Sequence, residues 1–161
     1  MAAWPTPLKS TASYCMRTPE QVRWDFVQQW LAKAEQDLRA GRVILQADLE
    51  DFETVGFHAQ QAAEKFLKAL LVRHQIEVPK THNIPHLRGL VAPVDSALAD
   101  RSAPADALTP FGVEYRYPGD LPPVSREQGM SAIRLAEHVR DGVLAHLRAY
   151  LEGGRPRGPG G

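Results

Sequence analysis

The sequence predicts an all-α protein, an up-and-down helical bundle of about five helices. Three observations carry that prediction. Long segments repeat apolar residues at three-, four- and seven-residue spacing, the signature of one buried helical face. Two of them open on a capping box, in which a Ser or Thr and a Gln three positions later satisfy each other's backbone donors. No segment shows the apolar–polar alternation of a half-buried strand.

Residues 1–17 read as a flexible leader, and Cys15 within it as an exposed thiol. Thr18 caps the first helix, with Pro19 at the first helical position and Gln21 completing the box. Trp24, Val27, Leu31, Ala34, Leu38 and Leu45 then form one stripe, which Gly41 threatens to interrupt. A second helix spans about Asp51 to Gln75, with Phe52, Val55, Ala59, Ala62, Ala63, Phe66 and Leu70 as its core stripe. Small residues at 56, 59, 62 and 63 permit close approach by a neighbouring helix. VPKTHNIPH ends this helix, a short helix follows from about Pro85 to Val94, and another turn or two is expected near Ala103 to Leu108. TPFGVEYRYPGDLPPVS is rich in helix breakers and reads as an ordered loop whose Phe111, Tyr115 and Tyr117 need burial or a partner. Ser125 and Gln128 open the last long helix, which runs to about Leu151 on a stripe of Ile133, Ala136, Val143, Leu144, Leu147 and Leu151. The bundle therefore covers 18–151, and the Gly/Pro-rich tail 152–161 is expected to be disordered.

The helix FHAQQAAEKFLKALL, Phe57 to Leu71, has two faces. Opposite its core stripe lie Phe57, Gln61, Glu64, Lys68 and Leu71. The plain reading is a solvated surface carrying two stray hydrophobes. The sharper one is a dimer or partner face, a polar strip bracketed by apolar ends.

Charge and cysteine content exclude some classes of function. Nineteen basic residues balance nineteen acidic ones, so no net field draws the chain to a polyanion and any nucleic-acid contact must be local. A single cysteine permits neither an intrachain disulfide nor a cysteine-based zinc site. The histidines lack paired metal-ligand spacing, so no metal and no cofactor is expected. With no membrane-length apolar run and no signal-peptide core, a cytoplasmic location is expected.

FHAQQAAEKFLKALL, followed by PKTHNI and later YRYPG, resembles the HEPN domain (higher eukaryotes and prokaryotes nucleotide-binding). WLAKAEQDLRAGRVIL, Trp30 to Leu45, is similar to that family's first helix. The resemblance covers roughly residues 25–150 in order. It implies a bundle that commonly dimerises. Bacterial members are often encoded beside a minimal nucleotidyltransferase, some as toxin–antitoxin pairs. Catalytic members are metal-independent ribonucleases that use an Arg-x(4–6)-His motif from both subunits.

Arg140 to His146 is the match to that motif. Six helical steps leave the two side chains about 120° apart and about 9 Å along the axis, poorly placed for one phosphate unless Gly142 breaks the helix. Arg140 also falls inside the apolar stripe and there needs an acceptor, such as Glu64 or Glu53, or a route to solvent. His82 in Thr-His-Asn and Arg116 in Tyr-Arg-Tyr-Pro, with Lys80 and Tyr117 beside them, are the better nucleotide- or RNA-binding candidates. Loops present polar side chains cheaply, and a tyrosine can stack on a base. Structural duties compete: His82 can cap the short helix, and Arg116 can bind loop carbonyls. The expected function is a nucleotide- or RNA-associated module, homodimeric and paired with a minimal nucleotidyltransferase in a toxin–antitoxin-like couple. The alternative is a ribonuclease toxin acting through Arg140 and His146.

Overall fold

The computed structural model describes residues 17–47 and 49–158. The leader before Arg17, with Cys15, lies outside the described residues. Six α-helices are present among them: α1 (Pro19–Gln46), α2 (Phe52–Arg73), α3 (Ile84–Val91), α4 (Ser96–Arg101), α5 (Thr109–Val113) and α6 (Arg126–Glu152). Two 3₁₀ turns, Ala103–Leu108 and Glu114–Arg116, flank α5. The described residues contain no strand, and none of their helices is long and apolar enough to cross a membrane.

Both capping boxes form as the sequence predicts. Thr18 and Gln21 close one at the start of α1, and Ser125 and Gln128 close the other at α6. Gly41 does not break α1. It makes room instead, because a Cβ there would stand 2.8 Å from Ile133 Cδ1 on α6. The segment read as a loop after Thr109 is partly helical. Pro110 sits in the first turn of α5, where the missing N–H costs nothing, so a proline that looked like a breaker starts a helix.

Three long helices make the bundle, and side-chain pairs fix their directions. Arg42 of α1 pairs with Glu137 of α6, while the Trp24 ring near the start of α1 packs at a tilt against Tyr150 near the end of α6. These two helices are therefore antiparallel. Gly129 of α6 lies by Phe52 and Val55 of α2, and His146 meets His74 at the far end, so α2 and α6 run parallel. The excursion through α3, α4 and α5 returns the chain to the end where α2 began.

α2 is the central helix. Val55, Ala59, Ala62, Ala63 and Phe66 are fully buried in the core with Leu38 of α1 and Ala136, Val139 and Val143 of α6. Its opposite face is covered as well. Glu64, Lys68 and Leu71 are buried, at 3%, 6% and 0% exposure, and Gln60 is fully buried. The sequence reading of this face as an exposed strip is corrected here: the 78–84 segment and α5 lie over it within one chain. Its polar side chains can be buried because they bond to one another and to the covering backbone.

The Gly/Pro-rich end makes hydrogen bonds as far as Pro156. Arg155 pairs with Asp25 through Nε and Nη2 at 2.9 and 3.0 Å, and Gln21 Nε2 donates to the Pro156 carbonyl at 3.0 Å. Together with Arg17, Arg155 holds the Asp25 carboxyl down at about 2.

Candidate functional site around Glu64 and His82

The polar residues of the Phe57–Leu71 string form one connected network. Lys65 Nζ donates to Asp37 Oδ2 of α1 at 2.6 Å and to Gln61 Oε1 at 2.9 Å. His58 Nδ1 bonds the other oxygen of Asp37 at 3.0 Å. Gln61 Nε2 donates to Gln60 Oε1 at 2.7 Å, and Gln60 Nε2 donates to Glu64 Oε2 at 3.0 Å. Lys68 Nζ donates to Glu64 Oε1 at 2.7 Å, with its ammonium 5.6 Å from the centre of the Trp30 ring. Amides between the charged groups let the network turn the helix without an unpaired buried atom.

This network reaches across to the segment after α2. Lys68 also donates to the Thr81 carbonyl at 3.2 Å, and Gln60 to the His82 carbonyl at 3.1 Å. His82 Nδ1 donates to Glu64 Oε2 at 2.9 Å. Burial pushes the Glu64 carboxyl up, but hydrogen bonds from Lys68, His82 and Gln60 outweigh it and hold it below its ordinary value. The His82 side chain keeps 47% of its surface exposed while its carboxylate partner keeps 4%. One nitrogen of the ring is thus fixed from inside, and the ring itself faces solvent. The cap of α3 is Asn83, whose Oδ1 accepts from His86 N–H at 2.8 Å, so His82 is not spent on capping.

Arg116 flanks the start of the same α2 face. Its guanidinium lies 5.4 Å from the centre of the Phe57 ring. Glu53, Thr54, Phe57, Phe111, Tyr115 and Arg116 line a surface cleft of about 370 Å³. Phe111 and Tyr115 stack at 5.2 Å between ring centres. Phe111 seats on Gly56 so closely that a Cβ there would stand 2.3 Å from its ring. The aromatics that needed a partner are therefore mostly placed, except Tyr117, which is exposed. Lys80 is exposed, and Gln61 and Phe57 are half-buried.

Arg140 and His146 are not brought together. α6 passes through Gly142 without a break. Arg140 bonds Asp141 next to it, not Glu64 or Glu53, because its head reaches the surface beyond the apolar stripe. His146 turns the other way: its Nδ1 lies 2.8 Å from Asp95 Oδ2 and its Nε2 2.8 Å from His74 Nε2. Among the described residues no group of three or more His, Cys, Asp or Glu side chains is placed to hold a metal ion.

Sequence reasoning missed Asp37, His74 and Asp95 as members of these clusters. Each partners a residue more than 20 positions away, and no local spacing announces such a pair. Gln60 stood in the sequence only as part of the FHAQQAAEKFLKALL string; its full burial, and so its need for hydrogen-bond partners, shows only in the fold.

No curated protein and no solved structure matches the chain. The family model of the HEPN domain matches residues 27–146, which takes in the Asp37–Glu64 network, His82, Arg116 and the greater part of α6. The chain belongs to the HEPN domain family.

Proposed function

We propose that the chain is a HEPN-type nucleotide- or RNA-binding module, homodimeric and the partner of a minimal nucleotidyltransferase in a toxin–antitoxin-like pair. The observation that carries the binding half is His82. A buried carboxylate fixes its Nδ1, and the half-exposed ring presents Nε2 outward, as an acceptor when neutral and as a charged donor to phosphate when protonated. Arg116 adds a bidentate phosphate ligand at the other end of the same α2 face, beside a cleft whose Phe57 and Tyr115 offer ring surfaces to a base. Balanced net charge agrees with a small local contact rather than a long tract of backbone. Family membership supports a nucleotide- or RNA-related role in general, and the homodimer and the nucleotidyltransferase pairing rest on that membership alone.

The ribonuclease alternative through Arg140 and His146 has less support. Within one chain the two side chains bind different partners and share no cleft.

Binding of a labelled RNA oligonucleotide, followed by anisotropy, tests the reading. His82→Ala and Arg116→Ala are each expected to weaken binding about tenfold or more, the scale of a lost charge-assisted hydrogen bond. Arg140→Ala should leave it unchanged. Equal affinity in all four proteins, or no binding by the wild type, sinks the proposal. Solution mass of the purified chain tests the dimer, and co-expression with a minimal nucleotidyltransferase from the same genome tests the pairing.

A further inference from the structure

The cluster at the far end of α2 has a geometry of its own. His74, the C-cap residue of α2, and His146 of α6 approach through their Nε2 atoms at 2.8 Å, with ring centres 5.0 Å apart. That centre separation is close to the largest a 2.8 Å contact between ring nitrogens allows. The two nitrogens therefore point head-on, as in a hydrogen bond, and do not converge on a third point as two metal ligands would. On its other side His146 faces Asp95, whose second oxygen caps α4 by accepting from Leu98 N–H at 2.8 Å.

This chain of contacts dictates the protons. A carboxylate only accepts, so His146 carries its proton on Nδ1 and donates to Asp95. Neutral His146 is then an acceptor at Nε2, and His74 must donate from Nε2–H. A first added proton settles on His74 Nδ1, which leaves one hydrogen between the two Nε2 atoms and one positive charge shared by the pair. A second has to land on whichever Nε2 is bare, directly against the N–H of the other ring. Two donors cannot share one axis, and two cations cannot share that spacing.

We propose that Asp95, His146 and His74 form a clasp that tolerates one proton and is opened by the second. Acidification would then free the end of α2 and loosen the 75–83 segment that carries His82. The path is short: His74 ends α2, Gln75 follows at a positive φ of 58°, and the segment runs on to the Thr81 and His82 carbonyls held by Lys68 and Gln60. The surroundings hold His74 below its ordinary value, burial first and the neighbouring charges after it. Arg73 on α2 repels a proton on His74, as does His146 on α6, and Arg101 on α4 offsets part of the Asp95 charge. Burial acts in the same direction on His74, while Asp95 is held ionised by its bonds to His146 and Leu98 N–H. The inference does not depend on what His82 binds.

His74→Gln is the informative variant. A Gln amide donates to a neutral His146 Nε2 and, after flipping, accepts from a protonated one, so the clasp stays closed at either pH. The urea midpoint of the wild type is expected to fall between about pH 7.5 and about pH 5, where histidine is the side chain whose ordinary value lies in range. The fall should be less than half as large in His74→Gln. Hydrogen exchange in 75–83, corrected for intrinsic rates and compared with α1, should rise at the lower pH in the wild type only. An equal fall in both proteins, or no fall in the wild type, overturns the proposal. Should His74→Gln fail to fold, imidazole nitrogen shifts of the wild type decide the matter. The clasp requires Nδ1–H on His146 and Nε2–H on His74 at neutral pH, with two separated titration steps. Identical tautomers, or independent titration at the ordinary histidine value, would overturn it equally.

Discussion

A carboxylate buried as deeply as Glu64 depends on the partners that hold its charge. Its oxygens accept from Lys68, His82 and Gln60, and Lys68 is almost equally buried. Lys68→Ala is therefore expected to destabilise the fold by about 3 kcal/mol, since it strands a buried charge. The double substitution Glu64→Gln with Lys68→Met removes both charges and should recover most of that loss. Chemical denaturation of the single and double variants measures this, and equal loss in the two would mean the pair contributes nothing as a pair. The same carboxylate sets the ring of His82, so Glu64→Gln alone should weaken RNA binding while His82 is still present. The string Gln60-Gln61-Ala62-Ala63-Glu64-Lys65 was legible as a motif. That its polar members are wired together was not, because Asp37 and His82 reach it from other parts of the chain.

At the scale of the element, α2 and the α5 region are fitted to each other. Phe111 seats on Gly56, and its stacked neighbour Tyr115 leads to Arg116 beside Phe57. Gly56→Ala removes a poor helix former, which alone would help by up to about 1 kcal/mol. The clash with a partly buried ring packed against the core is expected to win, for a net loss of about 1–3 kcal/mol. Because Phe111 must move, Arg116 moves with it, and RNA affinity should drop although no proposed contact residue has changed. Affinity unaltered by Gly56→Ala would separate the cleft from the binding site. Helix ends are a contrasting case. Thr18→Ala and Ser125→Ala each lose a capping box and should cost about 1 kcal/mol without affecting binding. A cap is local in sequence and could be read from it, whereas the seating of Phe111 on Gly56 joins residues 55 positions apart.

For the whole molecule, acid stability follows from the carboxylates. Asp25, Glu64 and Asp95 all titrate below their ordinary values of 3.8, 4.5 and 3.8 in the folded chain. The unfolded chain therefore binds more protons in this range, so their contribution is complete above those ordinary values and is lost as pH falls through and below them. His74 is shifted the same way, downward from 6.5 by burial and by its cationic neighbours. For a base that means the neutral form suits the fold, and stability is lost as pH drops below 6.5. Thermal melting against pH should accordingly show two declines, one beginning near 6.5 and one below 4.5. Asp95→Asn should reduce both, since it touches the clasp and removes one shifted carboxyl. A single decline confined to the acid end would leave His74 without a role in the pH response.

The sequence by itself determined the helical class, the caps, the position of the central helix and the family string, because periodicity, capping chemistry and short motifs act between residues a few positions apart. Only the tertiary structure decided that α2 is buried on both faces and that α6 runs parallel to it. It also sent Arg140 and His146 to different partners. A helical wheel shows which residues share a side and says nothing about what covers that side. Here the cover comes from 78–84 and from α5, segments too short and too proline-rich to reveal their destination. The face that looked like a surface for another molecule is occupied by the chain's own polar network, and His82 and Arg116 lie where that cover meets solvent.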